Sequence, residues 1–362
     1  MNSFGNRLRI HITGESHGAG IGILLDGVPP GMVVDEAAIA TDMAHRRPGT
    51  GPLVSSRNEQ DEVHLRSGVF EGRTTGAPVL LWIDNTDVRS QDYEQLKRLP
   101  RPGHSDHVLD VWSQGHYDPR GGGHSSGRLT ACLVAAAAFL RPLLDGVGIR
   151  AGAHLDAVGT CTGTADPDVA AMHAALNNEV HSAHPEAPAF TEAILEARAA
   201  KDSLGGIVAW RAEGVPMAWG DPFFDSVESQ LAHLFFAVPA VKGVDFGAGF
   251  GSVALRGSEH NDANEAVDGR TRPATNHAGG ILGGRTTGAP LYGRVAIKPT
   301  SSIFQPQQTV DQTTGKEATL ELKGRHDPCI AVRAVPVVRA CVELVLVDFL
   351  LQARQEGHEG GA

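Results

Sequence analysis

Gly72-Arg73-Thr74-Thr75-Gly76-Ala77-Pro78 recurs without change as Gly284-Arg285-Thr286-Thr287-Gly288-Ala289-Pro290. Each copy runs into an apolar stretch, 79–83 and 291–297, that reads as a strand. The copies lie too far apart for a solenoid, whose period is about 20–50 residues. They predict instead two pseudo-equivalent strand-and-turn units and a core with pseudo-twofold symmetry.

Outward from the repeat, short apolar stretches bounded by Gly, Pro and Asp predict further strands at 8–12, 21–25, 206–212 and 251–256, and the strand after the second repeat extends to 298. Apolar spacing predicts helices at 35–46, 128–144, 168–179, 189–201, 224–236 and 335–354. The mixture is α+β without regular βαβ alternation. No run of Pro, Ser or charge marks a linker, so residues 1–362 are expected to form one domain with two pseudo-equivalent halves, although length alone suggests about two.

Hydrophobic residues make up 41% and charged residues 20% of the chain, which excludes disordered and fibrous classes. The net charge of −11 argues against broad nucleic-acid or anionic-membrane binding. Any anionic ligand must meet a local basic cluster. Of 31 basic residues only six are lysines, and arginine is the side chain suited to bidentate recognition of carboxylate and phosphate. Cys132, Cys161, Cys329 and Cys341 show neither C-x-x-C pairing nor zinc spacing, so reduced cytoplasmic thiols are expected. No signal peptide is evident, and the longest apolar runs, 131–140 and 340–351, fall short of a bilayer span.

Thr13-Gly14-Glu15-Ser16-His17-Gly18 formally satisfies the G-x-S-x-G of serine hydrolases. Too little chain precedes it to build the sheet that such an elbow needs, but its glycines expose Ser16 and His17 to a ligand. Neither a dinucleotide fingerprint nor a Walker A sequence occurs, because Ile23 stands where the first needs Gly and Glu317 follows Gly315-Lys316. Arg101-Pro102-Gly103-His104 precedes Arg120-Gly121-Gly122-Gly123-His124-Ser125-Ser126-Gly127-Arg128, which leads into an Ala-rich helix. Bare backbone N–H groups, hydroxyls and a helix start together favour an anion. The histidine spacings lack a helical zinc-ligand arrangement, so no metal is expected. Asn276-His277-Ala278-Gly279-Gly280 exposes backbone, and Lys298-Pro299-Thr300-Ser301-Ser302 offers an amine and hydroxyls to a phosphate. Gly324-Arg325-His326-Asp327-Pro328-Cys329 packs a cation, an imidazole and a carboxylate into a turn, which an ion pair holding the turn explains equally well. Adjacent Arg46 and Arg47 enter a Pro-Gly turn. Together these residues describe a site for a multiply anionic ligand with histidines available for proton transfer.

In this order, and with Asp26-Gly27-Val28-Pro29-Pro30-Gly31 and Asn85-Thr86-Asp87-Val88-Arg89-Ser90-Gln91-Asp92-Tyr93, the segments closely resemble chorismate synthase from end to end. The resemblance implies a βαβ sandwich, a homotetramer, and a carbon-oxygen lyase. That lyase converts 5-enolpyruvylshikimate 3-phosphate to chorismate by anti-1,4-elimination of phosphate, using reduced FMN without net redox change. NADPH or an external reductant would supply the electrons. By the same resemblance His17 and His104 are the proton donors, and Asp327 helps deprotonate the reduced flavin. His124, Ser125, Ser126, Ala240, Gly283, Lys298, Pro299, Thr300, Ser301, Ser302 and Arg325 fall where the family binds FMN, and Ser16, Arg46, Arg101 and Arg128 where it binds substrate. The chain departs from the family pattern at His124, where an arginine is usual, at Pro52, where many members have another, and at Ser105, Gly127 and His107. The rival expectation is a diverged, catalytically weak paralogue that binds FMN or an anion in a regulatory or assembly role.

Overall fold

Thr74 and Thr286, the third residues of the two repeats, make the same bonds. The Thr74 hydroxyl donates to the Pro29 carbonyl at 2.6 Å and accepts from the Met32 amide at 3.0 Å. Thr286 donates to the Pro216 carbonyl at 2.6 Å and accepts from the Trp219 amide at 2.9 Å. Each threonine thus ties its turn to a Gly-Val-Pro segment, 27–29 or 214–216, and each turn feeds a central strand.

The computed structural model describes residues 2–47, 53, 60–86, 95–267, 269–322 and 326–357. The first sheet contains β1 (Ser3–Phe4), β2 (Arg9–Gly14), β3 (Gly20–Asp26), β4 (Val63–Ser67) and β5 (Val79–Asp84), in the order β1-β2-β3-β5-β4. The second contains β6 (Arg150–Val158), β7 (Cys161–Thr162), β8 (Gly206–Glu213), β9 (Val241–Phe246) and β10 (Leu291–Ile297), in the order β9-β10-β8-β6-β7. Every neighbouring pair is antiparallel. The order β2-β3-β5-β4 in one half therefore matches β6-β8-β10-β9 in the other, which is the pseudo-twofold relation expected from the repeat.

Between the sheets lie α1 (Glu36–Arg46), α3 (Thr130–Asp145), α6 (Val227–Ala237) and α7 (Ala331–Glu356), which pack on one another. Three further helices are α2 (Asp106–Trp112), α4 (Val169–Ala175) and α5 (Ala187–Ala199). Asp35 caps α1 by accepting from the Ala38 amide, and Ser226 caps α6 through the Ser229 amide. Residues 130–140 of α3 and 334–350 of α7 are buried without interruption, so these helices are buried on every side rather than amphipathic. Residues 127–145 are long and apolar enough to cross a membrane, unlike the shorter run expected from sequence, but this helix is 83% buried inside the fold. Each sheet turns one face inward at period two: Val79, Leu81 and Ile83 on β5, and Leu291, Val295 and Ile297 on β10.

Charge inside the helical layer is paired. Arg141 of α3 makes two 2.9 Å bonds to Glu343 of α7, and both Arg141 and Arg339 bond to Asp42 of α1. Two sequence expectations fail. Residues 251–256 are no strand; a 3-10 turn, Gly249–Ala254, leaves Phe250 and Val253 exposed. The helix expected over 168–179 stops at Ala175.

Candidate active site

A cavity of about 850 Å³ opens where equivalent parts of the two halves converge. Arg46 at the end of α1 faces it from one half, and Ala237 to Ala240, from the last residue of α6 onward, from the other. The segment entering α3 supplies His124 to Leu129, and the segment entering α7 supplies His326, Asp327 and Ile330. Lys298, Thr300 and Ser301 follow β10.

The arginines are held rigidly. Asp61 is 3% exposed and its carboxylate accepts from Arg46 at 3.3 Å and Arg128 at 2.7 Å. Burial alone would raise its pKa, but the two guanidiniums outweigh that and lower it. Arg46 also donates to the carbonyls of Gly127 and Arg128, and Arg128 to the Asn85 side chain at 2.7 Å. Arg101 grips Asp106 through Nε at 2.8 Å and Nη2 at 2.7 Å, and donates to Ser302 Oγ at 3.1 Å. His104 Nδ1 lies 2.6 Å from the same Asp106.

His17 is buried behind the cavity wall. Ser16 Oγ donates to the Arg120 carbonyl at 3.1 Å and lies 3.2 Å from His17 Nδ1. Gly121 adopts φ +60°, and a Cβ on it would fall 2.4 Å from His17 Cε1, while one on Gly122 would fall 3.3 Å from His104 Cε1. The glycine run therefore threads between the two histidines, where only glycine fits at Gly121. His124 lines the cavity, but its ring nitrogens face the Gly14 carbonyl at 2.8 Å and the Asn2 side-chain oxygen at 3.1 Å. Ser126 caps the 3-10 turn Gly127–Leu129 that precedes α3.

From the second half, Lys298 Nζ donates to the Gly103 carbonyl, which ties the two walls together. Ala240 holds φ +75°, uncommon for a residue with a Cβ, and its carbonyl accepts from the Lys298 amide at 2.9 Å. Asp327 accepts from Arg333 Nη1 at 2.8 Å, and Arg333 Nε donates to the Arg46 carbonyl at 3.2 Å.

Thus the fold brings Arg46, Arg101, Arg128, His104, His124, Ser125, Ser126, Ala240, Lys298, Thr300, Ser301 and Asp327 to one cavity. It does not place the other site residues on the cavity wall. Ser16 and His17 sit behind Gly121, Pro299 packs over Gly205, and Ser302 is turned towards Arg101. Gly283 lies in the turn of the Ile281–Leu282/Arg285–Thr286 hairpin, next to Gly284, which packs against Pro222 and Ser226 at the far end of α6 from the cavity. Arg325 and Pro52 lie outside the described residues. Sequence reasoning missed Arg333, and it singled out Asp61, at the end of Arg57-Asn58-Glu59-Gln60-Asp61, and Asp106, two residues after His104, without giving either a role. The Arg101-x-x-His104-x-Asp106 spacing was a local signal for Asp106, whereas Asp61 meets Arg128 only across 67 residues.

Away from the cavity, His154, Asp156 and His184 gather ligand-type atoms within 4.8 Å of one another. The Ala165 amide donates to His184 Nδ1 at 3.2 Å and the Ala183 amide to His154 Nδ1 at 3.4 Å. Each ring therefore carries its proton on Nε2, and His184 gives that proton to Asp156 at 3.0 Å. A ligating nitrogen needs a lone pair there, so this cluster is a hydrogen-bonded core contact.

The sequence model described as chorismate synthase matches residues 8–351. Chorismate synthase of Aeropyrum pernix is 46% identical over 353 residues, covering 97% of this chain and 93% of that one. The enzyme of Chitinophaga pinensis is 44% identical over 351 residues, covering 97% of each. A crystal structure of chorismate synthase matches with a TM-score of 0.76 over 98% of this chain and 94% of the other, and at 24% identity this likeness speaks for the fold alone. The α+β sandwich, the repeat and the matched length agree, and the chain belongs to the chorismate synthase family.

Proposed function

We propose that the chain converts 5-enolpyruvylshikimate 3-phosphate to chorismate by anti-1,4-elimination of phosphate, as a carbon-oxygen lyase that needs reduced FMN without net redox change. The observation that carries this reading is the convergence in one cavity of Arg46, Arg101, Arg128 and His104 from the first half with Lys298 and Asp327 from the second. A substrate with one phosphate and two carboxylates needs such cations, and an acidic protein must concentrate them.

The residues also fit the cofactor. Ile10, Ile12, Leu133 and Leu234 form an apolar wall suited to a flat ring system, and Ser125, Ser126, Thr300, Ser301 and Lys298 offer donors suited to a phosphate. Bound reduced flavin would lend electron density as the phosphate departs. The arginines bind and orient the substrate anions. His104 presents its Nε2 edge beside Gly122, the edge through which it would pass a proton to the site. His17, backed by Ser16, is the second proton donor, and Asp327, fixed by Arg333, is the proton acceptor on the cofactor side. His124 binds the cofactor-side loop together by bonding Gly14 and Asn2.

The reading places the protein in the cytoplasm as a homotetramer acting on a small molecule, with no nucleic-acid or membrane partner. An anaerobic assay with reduced FMN and the enolpyruvyl phosphate, read as chorismate absorbance, tests it. Product that depends on reduced FMN is expected, and absence of product overturns the reading. Tight FMN binding without turnover would favour the diverged binding protein. An arm with NADPH and oxidised FMN shows whether the chain reduces its own flavin.

A further inference from the structure

Asp106 is 3% exposed and sits at the first turn of α2, two residues after His104. Its Oδ2 accepts from the Arg101 amide at 3.0 Å and Arg101 Nε at 2.8 Å. Its Oδ1 accepts from Arg101 Nη2 at 2.7 Å and lies 2.6 Å from His104 Nδ1. Burial would raise the pKa of this carboxyl, but its bonds to Arg101 and His104 outweigh burial and hold it well below the usual range. A carboxylate that stays ionised only accepts, so the proton between it and the imidazole belongs to Nδ1. Arg101 Nη2 gives one of its two hydrogens to Oδ1, and with Nδ1 already holding a hydrogen its 3.1 Å approach to that nitrogen is a contact and not a bond.

We propose that Asp106 is the positioning residue of His104: it fixes the ring with Nδ1–H towards α2 and Nε2 beside Gly122 at the cavity, and the same carboxylate locks Arg101 against that ring. The proposal rests on the function proposed above for its kinetic consequence, not for its geometry. It gives His104 a defined proton-carrying atom, and it couples the substrate-binding arginine to the proton donor through one side chain.

Asp106→Asn is the informative change. With two Arg101 donors on the Oδ2 side, the amide oxygen must take that place, which turns the NH2 group towards His104 and asks Nδ1 to accept. The neutral ring would then carry its proton on Nε2, and Nδ1, facing a donor, could not keep a hydrogen when the ring takes up a second proton to act as the acid. Long-range proton–nitrogen spectra of histidine-labelled protein read this tautomer directly, with the His104 signal identified by its loss in His104→Gln. The expected result is Nδ1–H in the wild type and in Asp106→Glu, and Nε2–H in Asp106→Asn. Nε2–H in the wild type, or the same tautomer in wild type and Asp106→Asn, overturns the proposal. If Asp106→Asn does not fold, the wild-type tautomer decides alone.

Kinetics give a second arm. Asp106→Asn should lower kcat by about ten- to a hundredfold, less than loss of a positioned acid itself. In a His104→Ala background the same change should lower kcat by less than about threefold, because residues that act as a unit are not additive. Full multiplicative loss in both backgrounds would make Asp106 a structural residue only. A wild type that forms no chorismate would remove the functional reading, while the tautomer would still decide the geometry.

Discussion

His104 and His17 differ in how they can act. His104 sits on the cavity wall with its Nδ1 engaged by Asp106, whereas His17 lies one glycine behind it. His104→Ala should lower turnover by about 10²–10⁴-fold, the range for losing a positioned acid or base, with little change in thermal midpoint. Near-normal turnover with intact fold would remove His104 from the chemistry. At this scale the sequence was partly readable. Residue types named the arginines and histidines, because few other side chains serve an anion or a proton. Their partners were hidden, since Asp61 and Arg333 reach the arginines and Asp327 only after the chain has folded. The arginine-to-histidine departure at His124 also reads differently in three dimensions. With its nitrogens at the oxygens of Gly14 and Asn2, its ring is engaged by the protein, and Ser125 and Ser126 line the cavity beside it.

The glycine run between the histidines is the element on which the site hangs. Gly121→Ala would place a methyl group against His17 in a left-handed conformation that costs about 1–2 kcal/mol for a residue with a Cβ. Turnover should fall at least tenfold while the far-ultraviolet circular dichroism stays unchanged; wild-type activity would show that the loop yields freely. Strand β6 teaches a different lesson. Its Ala151, Gly152 and Ala153 lack the β-branched side chains that announce a strand, so it escaped the sequence reading. Small residues are needed there because α4 presses on the sheet, with Met172 Cβ 3.0 Å from where a Cβ on Gly152 would be. The 3-10 turn Gly249–Ala254 misled in the opposite sense, since apolar alternation there serves an exposed surface.

His154 on β6 and His181, in the loop beyond α4, contribute to the pH response of the fold between neutral and mildly acid pH. Burial pushes both imidazoles down to about 4, helped for His154 by the neighbouring His184 and for His181 by His45. The unfolded chain takes up these protons near pH 6.5, so between about pH 6.5 and 4 it binds protons that the native fold refuses. Stability should therefore be complete above that window and fall as the pH falls through it. Urea midpoints measured across the window should slope less steeply for His154→Asn than for the wild type. Equal slopes would exclude His154 as a source.

For the whole molecule, the repeat made the pseudo-twofold arrangement legible because two equal turns with equal threonine bonds require equal residues. The proposed tetramer needs an apolar surface, and the second half supplies one: Phe223 is 92% and Phe224 90% exposed, and Phe250 and Val253 are also exposed. Phe224→Asp should shift sedimentation at micromolar concentration towards smaller species without loss of secondary structure. An unchanged mass would place the interface elsewhere. The position of the cavity has a further consequence. It lies where the ends of α1 and α6 and the starts of α3 and α7 meet, so its opposing walls are counterparts of each other. In a pocket shared by two identical chains, any substitution would be copied onto both walls, and a lopsided ligand would see the same surface in either orientation. Here one chain spells the two walls separately. Arg46 stands opposite the Ala237 end of α6, and the serines before α3 opposite the acid before α7. A ligand with unlike ends is thereby given a single way in.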